Sequence, residues 1–498
     1  MRAHRNIPCF IILLTLLFVT ASFKISNAEL TFTTDIFSTG SYPEAVNIGD
    51  VNGDGRNDVV MTTSDNFDPD NDYRLFVFLQ NESGKLESPV KYLTDGDYTK
   101  PPVTVAIGDI NNDGRKDVVV GNSGKNIEVF LQDENGLLEP SVKYPTSNSG
   151  KIKTGDFNND GLIDVVGTGS FTDSIEIFFQ NKNGTLDPPV KYAITTNGRD
   201  IDNDLDIGDV NNDGLTDIIV IGDRSSSVCL LLQQPNGTYG QPVSYSIIEN
   251  NAINGVAVGD LNNNDMQDIV VTYGGNQPLT KIGIFYQNIN NTLNANESYP
   301  SYNNPEAVEI ADVNQDDKQD IIVWHGGIGV YLQTNDGTFL PEQFYNFPSS
   351  SNFNAHGLDA GDINGDGAND IVFAAPNGLV VFYNSKGIPT PHISASSESI
   401  DFGSIFLGGT SNNKGIRAYN RGGADLAINS ITITGPNASD FGLTTDCSVI
   451  EPGNSCYISV TFAARSQGVR DAILNIFSND PENPIVKVSL FKFIKQVL

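Results

Sequence analysis

The residues of this chain best placed to do chemistry lie in one short acidic pattern that is used repeatedly. Gly-Asp-x-Asn-x-Asp-Gly-x-x-Asp, followed by two or three aliphatic residues, recurs seven times with local departures. Its first aspartate falls at Asp50, Asp109, Asp156, Asp209, Asp260, Asp312 and Asp362. Counted from that aspartate, side-chain oxygens stand at positions one, three, five and nine, and position seven offers a backbone carbonyl. Glycine at position six permits the sharp turn that aims them at one point. An all-oxygen set of this kind suits calcium, which takes six to eight ligands in flexible geometry, better than magnesium, which demands a regular octahedron.

The first loop supplies Asp50, Asn52, Asp54 and Asp58 with the Arg56 carbonyl. The second supplies Asp109, Asn111, Asp113 and Asp117 with Arg115, and the third Asp156, Asn158, Asp160 and Asp164 with Leu162. The fourth has Asp209, Asn211, Asp213 and Asp217 with Leu215, and the seventh Asp362, Asn364, Asp366 and Asp370 with Ala368. Two loops depart. The fifth (Asp260, Asn262, Asn264, Asp268, with Met266) loses one carboxylate and puts Asp265 in the glycine position. The sixth (Asp312, Asn314, Asp316, Asp320, with Lys318) keeps its carboxylates but has Asp317 there. Aspartate visits the left-handed backbone more readily than most residues, so these two sites are weakened rather than lost. The start of the pattern resembles an EF-hand, yet no glutamate follows at position twelve and no helix flanks it. A single copy is equally an Asx turn. Seven copies at one spacing favour ion binding, and the expected load is up to seven calcium ions in a structural role.

Something must hold these loops, and the intervals between them say what. They are 59, 47, 53, 51, 52 and 50 residues, so one supersecondary unit of about fifty residues is repeated. Within a unit a short strand enters the acidic loop and an aliphatic strand leaves it. An alternating strand such as residues 126–132 follows, then a turn, then a strand ending in Pro-Val-Lys-Tyr or a close variant, as at residues 89–92 and 189–192. Four short antiparallel strands make one propeller blade. The seventh unit stops after its third strand, near residue 383, while an unpaired strand-like piece at residues 30–37 precedes the first. An N-terminal strand completing the last blade closes the ring and hides both edges. The fold class is therefore all-β: a seven-bladed propeller over residues 29–388, followed by a β-sandwich over residues 389–498.

Residues 1–28 read as a signal peptide, with Arg2 and Arg5 before an apolar run and Ser26-Asn27-Ala28 at the cleavage site. Nothing later is apolar enough to span a membrane. The net charge of −32 argues against nucleic acid as a partner, because such a surface repels phosphates. Cys447 and Cys456 suit a disulfide in an oxidising compartment, and Cys229, inside an aliphatic stretch, reads as a buried inert thiol.

Over residues 30–388 the unit resembles the FG-GAP repeats of the integrin alpha-chain N-terminal propeller and of related secreted bacterial proteins. The seventh copy, residues 371–376, keeps an Ala-Ala-Pro where that family has Gly-Ala-Pro. From His392 onward, Phe402-Gly403, Asn420-Arg421-Gly422, Pro452-Gly453 and residues 474–480 resemble Hydin-type immunoglobulin-like domains. Leu490-Phe491-Lys492 departs from that family where a glycine is usual, which puts the last strand in doubt.

The resemblance implies a secreted or envelope protein whose calcium-stiffened ring displays loops to an extracellular protein or glycan. The longest connections, residues 62–73, 93–102, 194–204 and 346–356, fall on the face away from the acidic loops, where binding usually resides. Phe67, Tyr98, Phe171, Tyr273 and Phe353 are expected there as exposed aromatics. A calcium-dependent polysaccharide lyase or hydrolase and a purely structural envelope protein are the alternatives. Against an enzyme, the mature chain has only His325, His356 and His392 and no nucleophile elbow or zinc motif; His325 and His356 are both expected near the loop face.

Overall fold

The computed structural model describes residues 30–494, apart from 147–149, 169–173, 195–203, 223–224, 250, 276–278, 347–356, 377, 385–390, 392, 404, 421–425, 446, 452–453, 464 and 481–482. The expected signal peptide therefore lies outside the described residues. No described helix is long and apolar enough to cross a membrane.

Up to residue 384 the described strands form seven four-stranded antiparallel sheets. In the first, Pro43–Gly49, Asp58–Thr63, Arg74–Phe78 and Val90–Leu93 follow one another from the inside outward. The innermost strands of the others are Pro102–Gly108, Ile152–Gly155, Asp204–Gly208, Ile253–Gly259, Val308–Ala311 and Leu358–Gly361. Each packs against the innermost strand of the next sheet, and the seventh returns to the first, so the ring closes.

Burial explains the two kinds of strand pattern. Second strands such as Asp58–Thr63 are buried along their whole length, because blades cover both faces, and they read as unbroken aliphatic runs. Outer strands such as Val90–Leu93 are mostly exposed and read as mixed. The apolar cores lie between neighbouring blades. Met61, Phe76 and Phe78 of the first blade pack with Val372, Leu379 and Val381 of the seventh, so the junction that closes the ring is filled like the others.

Closure is made as the sequence predicts. Phe32–Ser38 pairs antiparallel with Gly378–Asn384, from Phe32 opposite Asn384 to Ser38 opposite Gly378, and becomes the outer strand of the seventh blade. The Phe32 ring then meets Tyr345 edge-on at 4.9 Å. That contact repeats a device found around the ring. The tyrosine ending each Pro-Val-Lys-Tyr segment packs edge-to-face on an aromatic ring of the following blade: Tyr92 on Phe130, Tyr144 on Phe178, Tyr192 on Tyr239, Tyr245 on Phe285 and Tyr299 on Phe339.

The C-terminal region is a two-sheet sandwich. One sheet orders Ile393–Ala395, Lys414–Asn420, Ser455–Phe462 and Phe441–Thr445, and the other Ser399–Asp401, Ile485–Ile494, Gly468–Ser478, Leu426–Thr434 and Val449–Ile450. A single core lies between them, with Phe402, Phe441 and Phe462 in mutual ring contact. The strand Ile485–Ile494 is regular through Leu490 and pairs with Gly468–Ser478 throughout, so the missing glycine does not disturb it. Cys447 and Cys456 form the expected disulfide, and Cys229 is a buried free thiol.

Candidate functional site

The acidic loops join each innermost strand to the second strand, and their local order comes from the aspartates. The position-one carboxylate accepts the backbone N–H of position six at 2.7–2.9 Å in all seven loops. The side-chain oxygen of position five accepts the N–H of position seven at 2.8–3.2 Å. These are Asx turns, and they require a left-handed residue at position six. Glycine takes it in five loops, while Asp265 and Asp317 adopt it at φ 62° and 63° in the departing two, as their residue type allows. Position four is left-handed as well, at Gly53, Asn112, Asn159, Asn212, Asn263, Gln315 and Gly365. That second requirement escapes the sequence reading, although the succession of Asn and Gly there is its signal.

Position nine behaves differently. Asp58, Asp117, Asp164, Asp217, Asp268, Asp320 and Asp370 are wholly buried. In each, Oδ2 accepts the N–H of position two at 2.9–3.2 Å. Oδ1 accepts, at 2.7–2.9 Å, the N–H of the glutamine two residues beyond the third strand in six blades and of Asn384, the last residue of that strand, in the seventh. Burial pushes these carboxyls up to about 7, and Asp117 to about 6, although the two N–H donors pull the other way. The carboxylates at positions five and one raise Asp58 further.

Among the described residues no lysine or arginine pairs with any of these seven. The cations that approach the loops stop at position five: Arg56 on Asp54 at 2.5 Å, Arg115 on Asp113, and Lys318 on Asp316 at 3.1 Å. No group of three or more acidic, histidine or cysteine side chains among the described residues is gathered closely enough to hold a metal as the side chains stand. The donor set nonetheless fits a hard cation. It is all oxygen, and each loop holds a buried carboxyl beside one or two further carboxylates with no basic partner for the buried one.

The loops are also linked to one another. The position-eight side chain reaches the position-one backbone of the preceding loop: Asn57 Nδ2 donates to the Asp362 carbonyl and Asn369 Nδ2 to that of Asp312. Gln267 and Gln319 instead accept the N–H of Asp209 and Asp260. The turn between the third and fourth strands of the next blade closes over five of the loops. Gly136, at φ 75°, lies so near the Asn52 carbonyl that a Cβ would meet its oxygen at 2.3 Å. Gly84, Gly184, Gly237 and Gly337 stand in the same way against Asn364, Asn111, Asn158 and Asn262.

On the opposite face Phe67 and Tyr98 are 93% and 78% exposed, as expected. Tyr273 is not: it is fully buried, and its hydroxyl bonds Glu249 and Ser298, because Gly283 on the paired strand leaves room for its ring. Phe171, Phe353, His356 and His392 lie outside the described residues, as do most of the connections 194–204 and 346–356. His325 is not displayed on the face. Its side chain is wholly buried, with Nε2 2.6 Å from Glu342 Oε1. The axis of the ring carries charge that the repeat pattern does not announce: Lys153 pairs with Asp206 at 2.9 Å and Lys151 with Asp204 at 3.4 Å, near Glu309 and Asp359.

Comparison with known proteins agrees with this architecture. Residues 50–120, 109–166, 156–220, 209–271 and 312–373 match the FG-GAP-like repeat, and residues 391–490 match the HYDIN/CFA65/VesB-like, Ig-like domain. No curated protein sequence matches the chain. Among solved structures, an Agrocybe aegerita lectin described as recognising non-reducing terminal N-acetylglucosamine is 18% identical, with TM-score 0.45 over 61% of this chain and 80% of its own. BBS1N, solved in complex with ARL6DN, is 16% identical, with TM-score 0.48 over 71% of this chain and 96% of its own. A PapD-like domain of human CEP192 is 16% identical, with TM-score 0.18 over 22% of this chain and 89% of its own. With repeat matches across more than half of its length, this chain belongs to the FG-GAP-like repeat family.

Proposed function

We propose that this protein is a calcium-stiffened binding scaffold that works outside the cell, where the ring of acidic loops fixes the blades and the opposite face takes an extracellular protein or glycan. One observation carries the reading. Seven buried position-nine carboxyls, each beside further acids, have no basic partner among the described residues. A divalent cation supplies the missing countercharge. The side chains at positions one, three, five and nine and the carbonyl at position seven are the residues that would hold it, from Asp50 in the first loop to Asp370 in the seventh. Millimolar calcium and a disulfide such as Cys447–Cys456 both belong to the extracellular environment.

The stiffness matters because the loops opposite must keep their geometry to recognise anything. Phe67 at 93% exposure and Tyr98 at 78% are large apolar groups held in solvent by a rigid frame, as a recognition surface requires. Two measurements test the reading. Equilibrium dialysis of the stripped protein against calcium should return several ions per chain, and one or none would sink the calcium half. A glycan array probed in millimolar calcium and again in chelator tests the recognition half. Calcium-dependent capture of one sugar class supports it directly. Without a glycan hit, the scaffold reading survives only if a protein partner is captured in calcium and released by chelator.

A further inference from the structure

The sixth blade breaks the repeat at several positions, and the breaks converge on one cleft. The first residue of its Pro-Val-Lys-Tyr segment is Glu342, where the first, third and fourth blades have proline, and the lysine position is Phe344. On the paired third strand Gly329 lies opposite Phe344, where Glu128 and Glu176 lie opposite lysine in the second and third blades. The ring that ends this strand is Tyr331, where Phe78, Phe130 and Phe178 stand in the first three. The absence of a side chain at Gly329 is used. A Cβ there would meet Glu342 Oε1 at 1.9 Å and His325 Nε2 at 2.6 Å.

What fills the cleared space is a set of aromatic rings around a buried acid. Glu342 Oε2 accepts the Tyr302 N–H at 2.9 Å and the Tyr331 hydroxyl at 3.1 Å, and Oε1 faces His325. Tyr302, 44% exposed, stacks on Phe344 at 4.6 Å and meets His325 edge-on. Between this group and the outer strand Glu297–Pro300 of the fifth blade lies an open cleft of about 330 Å³. Tyr299, Tyr302, Tyr331 and Phe339 line it, with two prolines, Ser301 and Glu342. Part of this is ordinary blade packing, since the Tyr299–Phe339 contact recurs around the ring. Among the first six blades Glu342, Tyr331 and Phe344 are peculiar to the sixth, while Gly329 is matched by Gly283 in the fifth.

We propose that the cleft between the fifth and sixth blades binds an organic cation, an alkylated or quaternary ammonium group, on Tyr302 and its neighbouring rings with Glu342 as the acid behind them. The lining decides the ligand class. It has no lysine or arginine to receive an anion. Its polar groups are too few to satisfy the several hydroxyls of a sugar. Aromatic faces with one carboxylate match an ammonium head by charge, and such rings attract cations through their quadrupoles. The strongly negative chain reinforces that sign.

The test uses the full mature chain in millimolar calcium, which occupies any divalent site, with choline as probe and its uncharged carbon isostere dimethylbutanol as control. Titration calorimetry or ligand-observed NMR should show saturable choline binding, with the isostere about tenfold weaker. Tyr302→Ala should weaken choline about tenfold and Tyr302→Phe less than about threefold, because the phenyl face is kept. Glu342→Gln should weaken choline and leave the isostere unchanged. Equal binding of choline and isostere by the unaltered protein would show an apolar groove without cation preference and overturn the proposal. So would the absence of saturable choline binding. Both outcomes are read on the unaltered chain, so they stand even where a variant folds poorly.

Discussion

Asp440 in the sandwich and the seven position-nine acids in the propeller are buried in opposite ways. In the sandwich, Asp440 is buried and Arg470 Nε donates to one carboxylate oxygen at 2.7 Å, with Arg465 Nε 3.9 Å from the other. The domain carries its own countercharge. In the propeller, Asp164 and its six equivalents are equally buried, yet they are met by backbone N–H groups and by other carboxylates. The difference teaches where each fold obtains its stability. One is complete as a chain, held by a single core and a disulfide. The other surrounds these seven acids with N–H donors and further acids, with no basic side chain paired to them among the described residues.

The sharpest way to break that contrast is to remove calcium. At free calcium twenty times a site's dissociation constant, binding adds about 1.8 kcal/mol per loop. Summed over several loops, scanning calorimetry in chelator should show the propeller transition falling by about ten degrees or more while the sandwich transition stays. A propeller that melts alike in calcium and chelator would end the comparison.

Single carboxylates come next. Asp164→Ala strands the buried N–H groups of Phe157 and Gln180 and should cost about 2–4 kcal/mol. Asp440→Ala strands Arg470 instead and should cost a similar amount. Calcium sharpens the pair. The Asp164→Ala loss should grow when calcium is present in the reference, because a ligand goes with the acid, whereas the Asp440→Ala loss should be the same in calcium and chelator. Denaturant melts in both buffers measure this.

Acidity offers a smaller effect with a definite sign. Burial raises the folded position-nine carboxyls to about 6–7, above their ordinary value near 4. Between those values the folded chain binds more protons than the unfolded one. Their contribution is therefore fully present below about pH 4 and is lost as pH rises through about 7. In chelator the propeller should melt higher at pH 5 than at pH 8. Calcium should reverse the order, since it competes with the same protons.

How much of this was legible beforehand depended on whether a residue acts within its repeat or across it. The loop aspartates, the four-strand unit and the closing strand at Phe32–Ser38 announce themselves by spacing alone. Asp265 and Asp317 could be placed in left-handed backbone from residue type. The inter-loop contacts of Asn57 and Gln267, the cover provided by Gly136, and the charges on the axis join residues of different blades, and no local pattern encodes such a meeting. Tyr273 departs from its expected exposure for the same reason. Its ring is buried because Gly283, on the paired strand, leaves room for it.

The smallest effect separates backbone geometry from ligand binding. Gly114 sits at position six of the second loop with φ 86°, and a Cβ there meets nothing within 4 Å. Gly114→Ala therefore adds no clash and should cost about 1 kcal/mol, from the left-handed backbone alone. The chain has already made a milder exchange twice, because Asp265 and Asp317 occupy the same position with the same backbone and keep the position-one hydrogen bond. Gly114→Asp should thus cost less than Gly114→Ala in calcium. In chelator the order should invert, because the added carboxylate joins three others with no ion to offset it. Gly403→Asp in the sandwich, at φ 69° and equally open, has no such loop around it. Its cost should be the same in both buffers. If the Gly114→Asp cost is also indifferent to chelator, the loops are turns held by their own hydrogen bonds, and the contrast between the two domains reduces to packing.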